Sequence, residues 1–141
     1  MVAAAAQRSR TVPFTLVVSG EAGDYADALA KIIGPLWLQT RRAGSDEEVL
    51  QLAQAGRADA VVLDESATQL EVLQLLRMIR RLNQVLLVVL LAGRPNRRWL
   101  EEALRLAAFS VVTKPLQLEE LLLQIHRMMV RLDLALRRAE Y

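Results

Sequence analysis

Short apolar runs and helix-patterned segments alternate five times from Phe14 onward, and that alternation leaves few folds open. Phe14–Val18 is a β-branched run. Apolar residues at Tyr25, Ala28, Leu29, Ile32 and Ile33 give Asp24–Ile33 a helical spacing, which Gly34 and Pro35 stop. Leu36–Arg41 alternates like an edge strand. Ser45 and Glu48 make a capping box for a helix through Val49, Leu52 and Ala53, closed by Gly56. Asp59–Leu63 reads as a third strand, and Gln69–Leu82 as a helix with Leu73, Leu76 and Ile79 on one face. Val85–Leu91 is a continuous apolar strand. Asn96 is placed to cap a helix over Arg97–Ala107, Phe109–Thr113 is the fifth strand, and Leu118 opens a long last helix. Strands apolar throughout and separated by helices predict a doubly wound α/β domain: a five-stranded parallel sheet with helices on both faces. Residues 1–12, Ala-rich and then polar without periodicity, are expected to be a disordered tail.

The 141 residues suffice for one domain with a real core and are too few for two. The longest apolar run, Val85–Ala92, falls far short of the roughly 20 residues that span a bilayer. Met1–Thr11 holds Arg8 and Arg10 but no apolar block of a secretory signal. With no cysteine, disulfides, thiolate catalysis and Cys-based metal sites are excluded together. A cytoplasmic protein is the expectation. The sequence pI of about 9.5 suggests nucleic acid, but the basic residues are scattered and aromatic stacking platforms are few, so no nucleic-acid or membrane partner is expected.

Function in such sheets gathers at the carboxyl ends of the strands. Those ends supply Ser19-Gly20-Glu21, Asp64-Glu65-Ser66, Ala92-Gly93 and Thr113-Lys114-Pro115. Asp64 follows Val-Val-Leu, which presents its carboxylate at the rim. Lys114 follows Val-Val-Thr and is one of only two lysines among 18 basic residues. A carboxylate nucleophile beside an ammonium suits phosphoryl chemistry. Alone, each is more often a helix cap or a surface charge. No Gly-rich nucleotide loop and no Ser-His-Asp set point to an enzyme, and none is expected. His126, the one histidine, and Trp37 and Trp99 read as surface or packing residues.

Val-Val-Leu-Asp64, together with Ala-Ala-Phe-Ser-Val-Val-Thr-Lys114-Pro115 and the following Leu-Gln-Leu-Glu-Glu-Leu-Leu, resembles the receiver domains of two-component signalling. The resemblance covers roughly residues 14–128. It implies a flavodoxin-like strand order 2-1-3-4-5 and a place in a bacterial response regulator. It also implies that Asp64 accepts a phosphoryl group from a histidine kinase, that Lys114 contacts that group, and that Mg2+ is the cofactor.

Several positions depart from the family pattern. Receivers carry two acids after the first strand to hold the metal. Here they align either on Ser19 and Gly20 or, with one inserted residue that the next helix favours, on Gly20 and Glu21. Either way a carboxylate is gone, which leaves Glu21, Asp64 and Ser66 as a weak or lost Mg2+ site. The hydroxyl that senses the phosphoryl group aligns on Ala92, and the switching aromatic aligns on Val111. Phe109 is expected on the other face of that strand. A pseudo-receiver serving as a constitutive dimerisation or scaffold unit is therefore the rival reading. A weaker third is a small-anion site of Lys114 with Arg94, Arg97 and Arg98, three basic residues crowding one helix start.

The last helix runs apolar and Pro-free past Met128, where a receiver should end. Leu118, Leu122, Ile125, Met129, Leu132 and Leu136 are spaced 4, 3, 4, 3 and 4, an a/d seam. Beyond Met128 the domain is expected to offer little to cover it. Residues 129–141 are thus expected to be an extension, a linker or the seam of a homodimer.

Overall fold

A computed structural model describes residues 13–140, except for the side chains of 134–140. The expected tail, 1–12, lies outside the described residues, as does the Leu136 side chain. Strands β1 (Phe14–Val18), β2 (Leu38–Arg42), β3 (Ala60–Asp64), β4 (Leu87–Ala92) and β5 (Ser110–Thr113) form one parallel sheet in the order β2-β1-β3-β4-β5. Helices α1 (Ala26–Ile33), α2 (Asp46–Ala55), α3 (Val72–Leu82), α4 (Arg97–Arg105) and α5 (Leu118–Glu140) cover both faces. The order turns back at β1 and β3, which puts a crevice at the carboxyl ends of those two strands.

Because successive strand residues point to opposite faces, the sheet divides its side chains between two cores. Leu16, Val18, Val62, Val89 and Leu91 pack with Leu29 of α1 and Leu121, Ile125 and Met128 of α5. Val17, Val61, Leu63, Val88 and Leu90 pack with α2, α3 and α4 through Leu52, Leu75, Leu76, Ile79 and Ala103. Each fully buried aliphatic side chain contributes roughly 1.5–3 kcal/mol.

Local chemistry moves several element ends from where periodicity puts them. A six-residue 3-10 helix, Gly20–Tyr25, precedes α1, and Ile32 faces solvent while Ala26 and Leu29 are buried. Glu71 caps α3 by accepting from the N–H groups of Leu73 and Gln74, so the helix starts at Val72 rather than Gln69. The Asn83 side chain accepts from Val85 and Leu86, a turn that holds Val85 in solvent and delays β4 to Leu87. Ala107 takes a left-handed φ of 58°, and α4 ends at Arg105. The caps at Ser45 and Asn96 form, each accepting from the N–H three residues on, and Gly56 closes α2 with φ 66°. Glu48 reaches back to the N–H of Gly44 rather than to that of Ser45.

The fold corrects the expectation that α5 lies uncovered just past Met128. Leu118, Leu122 and Leu132 are half-buried against the α1–α5 core, while Ile125 and Met129 are buried within it. Met129 is 3% exposed, so the domain continues to cover the helix past Met128. A heptad spacing states which face is apolar and not what covers it. Here the chain's own sheet does, and no bare seam is left at these positions for a second copy.

Candidate functional site

The ends of β1 and β3 lie side by side, with Val18 opposite Val62, and hand over to Ser19 and Asp64. Ser19 Oγ donates to the carbonyl of Val62 at 3.2 Å and accepts from the N–H of Asp64 at 3.1 Å. Its side chain fastens β1 to β3 and does not face the carboxylate. Gly20 follows with φ 56°, a conformation that favours glycine. A Cβ at this position would stand 2.5 Å from Asp64 Oδ2 and 2.8 Å from Ala67 Cβ, so no side chain fits. This close approach brings the N–H of Glu21 to Asp64 Oδ2 at 2.8 Å.

The other carboxylate oxygen is held from two sides. Ser66 gives Oδ1 both its N–H, at 3.0 Å, and its hydroxyl, at 2.7 Å. Lys114 arrives from the end of β5, where its N–H bonds the carbonyl of Ala92. Its Nζ lies 2.7 Å from Asp64 Oδ1, donates to Ser66 Oγ at 2.9 Å, and stands 3.7 Å from Glu21 Oε2. Asp64 is 1% exposed, whereas the Lys114 side chain keeps 22% of its surface in solvent. Burial alone raises the pKa of Asp64, but Lys114, the Glu21 N–H and Ser66 outweigh it, and the carboxyl sits below its ordinary value. For Lys114, burial works downward and is overcome by the bond to Asp64 and the charges of Asp64 and Glu21, so its pKa is raised.

Asp64, Lys114, Ser66 and Glu21 thus meet in one cluster. Ala92 is fully buried beside it and offers a methyl where the family pattern has a hydroxyl. Val111 packs on the α2–α4 side of the sheet, and Phe109 packs on the α1–α5 side, with the Arg131 guanidinium 5.7 Å from its ring centre. Two contributors were not anticipated. Glu65 accepts from the N–H of Gly93 at 2.7 Å and so ties the β3 loop to the β4 loop. Tyr25 donates its hydroxyl to the carbonyl of Leu116, anchoring the segment after Lys114. Nothing in the residues around Glu65 or Tyr25 announces such a bond.

Residues 20–126 match the sequence profile of the response regulator receiver domain. The chain belongs to that family. No curated protein matches it. Among solved structures, a CheY-like response regulator receiver domain protein from Methanospirillum hungatei is 16% identical, with a TM-score of 0.71 over 85% of this chain and 95% of that one. The non-phosphorylated HemR receiver domain of Leptospira biflexa is 22% identical, at a TM-score of 0.68 over 83% of this chain and 94% of its own. NtrX from Brucella abortus, solved in complex with ATP, is 24% identical with a TM-score of 0.68; the likeness covers 89% of this chain and 29% of NtrX. At these identities the likeness establishes the fold.

The receiver's carboxylate cluster does not fit the Mg2+ its family implies. Magnesium needs oxygen ligands in near-octahedral array at about 2.0–2.1 Å. Asp64 Oδ2 instead faces an N–H, Oδ1 faces an ammonium, and the backbone of Gly20 fills the space beside them. Ser66 spends its N–H and hydroxyl on Asp64, and Glu21 leans toward Lys114. Among the described residues no three carboxylate or imidazole side chains are grouped to hold a metal. No helix among them is long and apolar enough to cross a membrane.

Proposed function

We propose that this receiver domain acts in two-component signalling by protein–protein contact while Asp64 stays unphosphorylated, a pseudo-receiver with no enzymatic step of its own. The observation that carries the reading is the occupancy of the Asp64 carboxylate. Lys114, Ser66 and Glu21 supply four donors to its two oxygens, and the group is 1% exposed. A nucleophilic carboxylate needs a free lone pair in line with phosphorus and cations to gather the transferred oxygens. Oδ1 takes three of those donors and Oδ2 one, and the Gly20 backbone passes too close to Oδ2 for any Cβ. Among the described residues Lys114 is the one cation at the carboxylate, so in-line approach is crowded and charge neutralisation incomplete. The position for a sensing hydroxyl is the methyl of Ala92. The partner is accordingly a signalling protein met through the domain surface, rather than a histidine kinase donating to Asp64. Met129 is buried in the domain's own core and Leu132 packs partly against it, so a homodimer through α5 would rest on the helix beyond Asp133.

The test is incubation with a small-molecule phosphodonor and Mg2+, read by intact mass. The unmodified mass should persist. Rapid Mg2+-dependent labelling that disappears in Asp64→Asn would instead make this a phosphoacceptor receiver fed by a histidine kinase.

A further inference from the structure

Away from the carboxylate cluster, α3 and α4 enclose an open cleft of about 870 Å3. Its floor is Leu73 and the half-buried Trp99; Arg77 stands on the α3 wall, and Arg97, Arg98 and Arg105 stand on α4. Glu101 pairs with Arg97 at 3.2 Å and Glu102 with Arg77 and Arg105, but these pairs lie at the surface and leave most guanidinium donors free. The Arg97 side chain is 93% exposed and that of Arg105 is 75% exposed, and among the described residues Arg98 makes no hydrogen bond or ion pair. Two of the four, Arg97 and Arg98, sit in the first turn of α4, which holds no acidic residue, and Arg94 lies just before it. Positive charge there opposes the helix dipole and weakens the helix by a few tenths of a kcal/mol per residue. Four guanidiniums face two carboxylates here, Glu101 and Glu102, so the cleft keeps an excess of positive charge that is suited to a negative charge from outside.

We infer that the α3–α4 cleft is a docking surface for an acidic segment of a partner protein, whose carboxylates meet Arg77, Arg98 and Arg105 while an apolar side chain settles on Leu73 and Trp99. The inference does not depend on the phosphorylation state of Asp64. Arg77 is held by Glu102 at 2.8 Å and Arg105 stands 3.6 Å from the same carboxylate, so the two guanidiniums are gathered on one side of the cleft. A guanidinium fork retains further N–H donors for a second, bidentate carboxylate. The volume exceeds what a single small anion fills. Glu101 and Glu102 stand among the arginines and would repel the unbroken charge of a nucleic-acid backbone. A peptide that alternates carboxylates with apolar residues can pass between them.

The test selects peptides from a random-sequence library on the intact chain and locates their site by amide chemical shifts. Selected peptides should be rich in Asp and Glu interspersed with large apolar residues, and should shift resonances in α3 and α4. Arg98→Glu with Arg105→Glu should weaken them about tenfold or more, and Arg98→Glu alone by a smaller factor of the same sign. The pair Arg57→Glu and Arg127→Glu, with the same change in net charge, should alter affinity less than about twofold. Retained far-ultraviolet circular dichroism shows that the variants fold. The proposal fails if no peptide is selected, if those selected lack acidic residues or bind elsewhere, or if charge reversal leaves affinity unchanged. It also fails if a short DNA duplex occupies the cleft more tightly than any selected peptide, which would make it a nucleic-acid surface.

Discussion

The two ends of the sheet each gather oxygens around one cation, and they do so by different physics. At the carboxyl end the Lys114 ammonium meets a carboxylate, with Ser66 and Glu21 alongside. At the amino end the Arg80 guanidinium meets four backbone carbonyls: Leu86 at 2.6 Å, Leu106 and Ala107 at 2.9 Å, and Asn83 at 3.3 Å. Lys114 cancels a charge that the fold has buried. Arg80 collects the carbonyls left over where α3 and α4 end and β4 and β5 begin. A point-like ammonium serves one crowded carboxylate, whereas a planar fork is needed to reach four acceptors on two connections. The first cluster is built from groups that can titrate or react; the second is structural, and burial lowers the pKa of its guanidinium without neutralising it.

The largest expected effect lies at the amino end. Arg80→Ala leaves several carbonyls without donors and should cost about 3 kcal/mol of unfolding free energy. Arg80→Lys should recover less than half of that, because one ammonium cannot span the same acceptors. Urea denaturation measures both, and a full rescue by Lys would erase the distinction between fork and point charge.

Lys114→Ala should cost less, about 2 kcal/mol. It strips the counter-charge from a carboxylate that is 1% exposed, yet Ser66 and Glu21 continue to donate to it. If the same titration shows Lys114→Ala to be the more damaging substitution, the carboxyl end, not the amino end, is the stronger tie.

The smallest effect, on the order of 1 kcal/mol, is a pH dependence that only the carboxyl end should show. Asp64 has a folded pKa below its unfolded value near 3.9, so its contribution is present above about pH 4 and fades as pH falls through the folded pKa. Lys114 is raised above an ordinary value near 10.4, so its contribution is whole below about pH 10 and fades as pH rises through the folded pKa. Asp64→Asn should flatten the acid limb of the stability curve. Arg80→Ala should lower the curve by a similar amount at pH 5 and pH 8, since Arg80 stays charged across that range. A steep pH dependence of the Arg80→Ala effect would place a titrating group in the structural cluster.

Local signals explain what was legible in the chain. The alternation of strands and helices, the caps at Ser45 and Asn96 and the closing Gly56 are set by neighbours within about four positions. Asp64 and Lys114 were legible as rim residues because each follows an apolar run, and Lys114 also stood out as a rare lysine. Arg80 carried no such mark, being one arginine among many on an amphipathic helix. Which face of α5 is apolar was likewise readable from its heptad spacing.

Tertiary structure decided the rest, because the deciding contacts join residues far apart in the chain. Glu21 meets Asp64 across 43 positions, and Lys114 meets Ser66 across 48. No pattern along the sequence states that a Cβ at Gly20 would strike a carboxylate, that Ser19 turns to β3, or that Glu65 holds Gly93. The cover over Met129 and Leu132 belongs with these: the sequence alone determined that the helix has an apolar face, and the packed sheet determined that this face was already taken. Periodicity records the demand for burial within a few turns of chain. Only the folded arrangement, where distant segments compete for the same surface, sets what meets it.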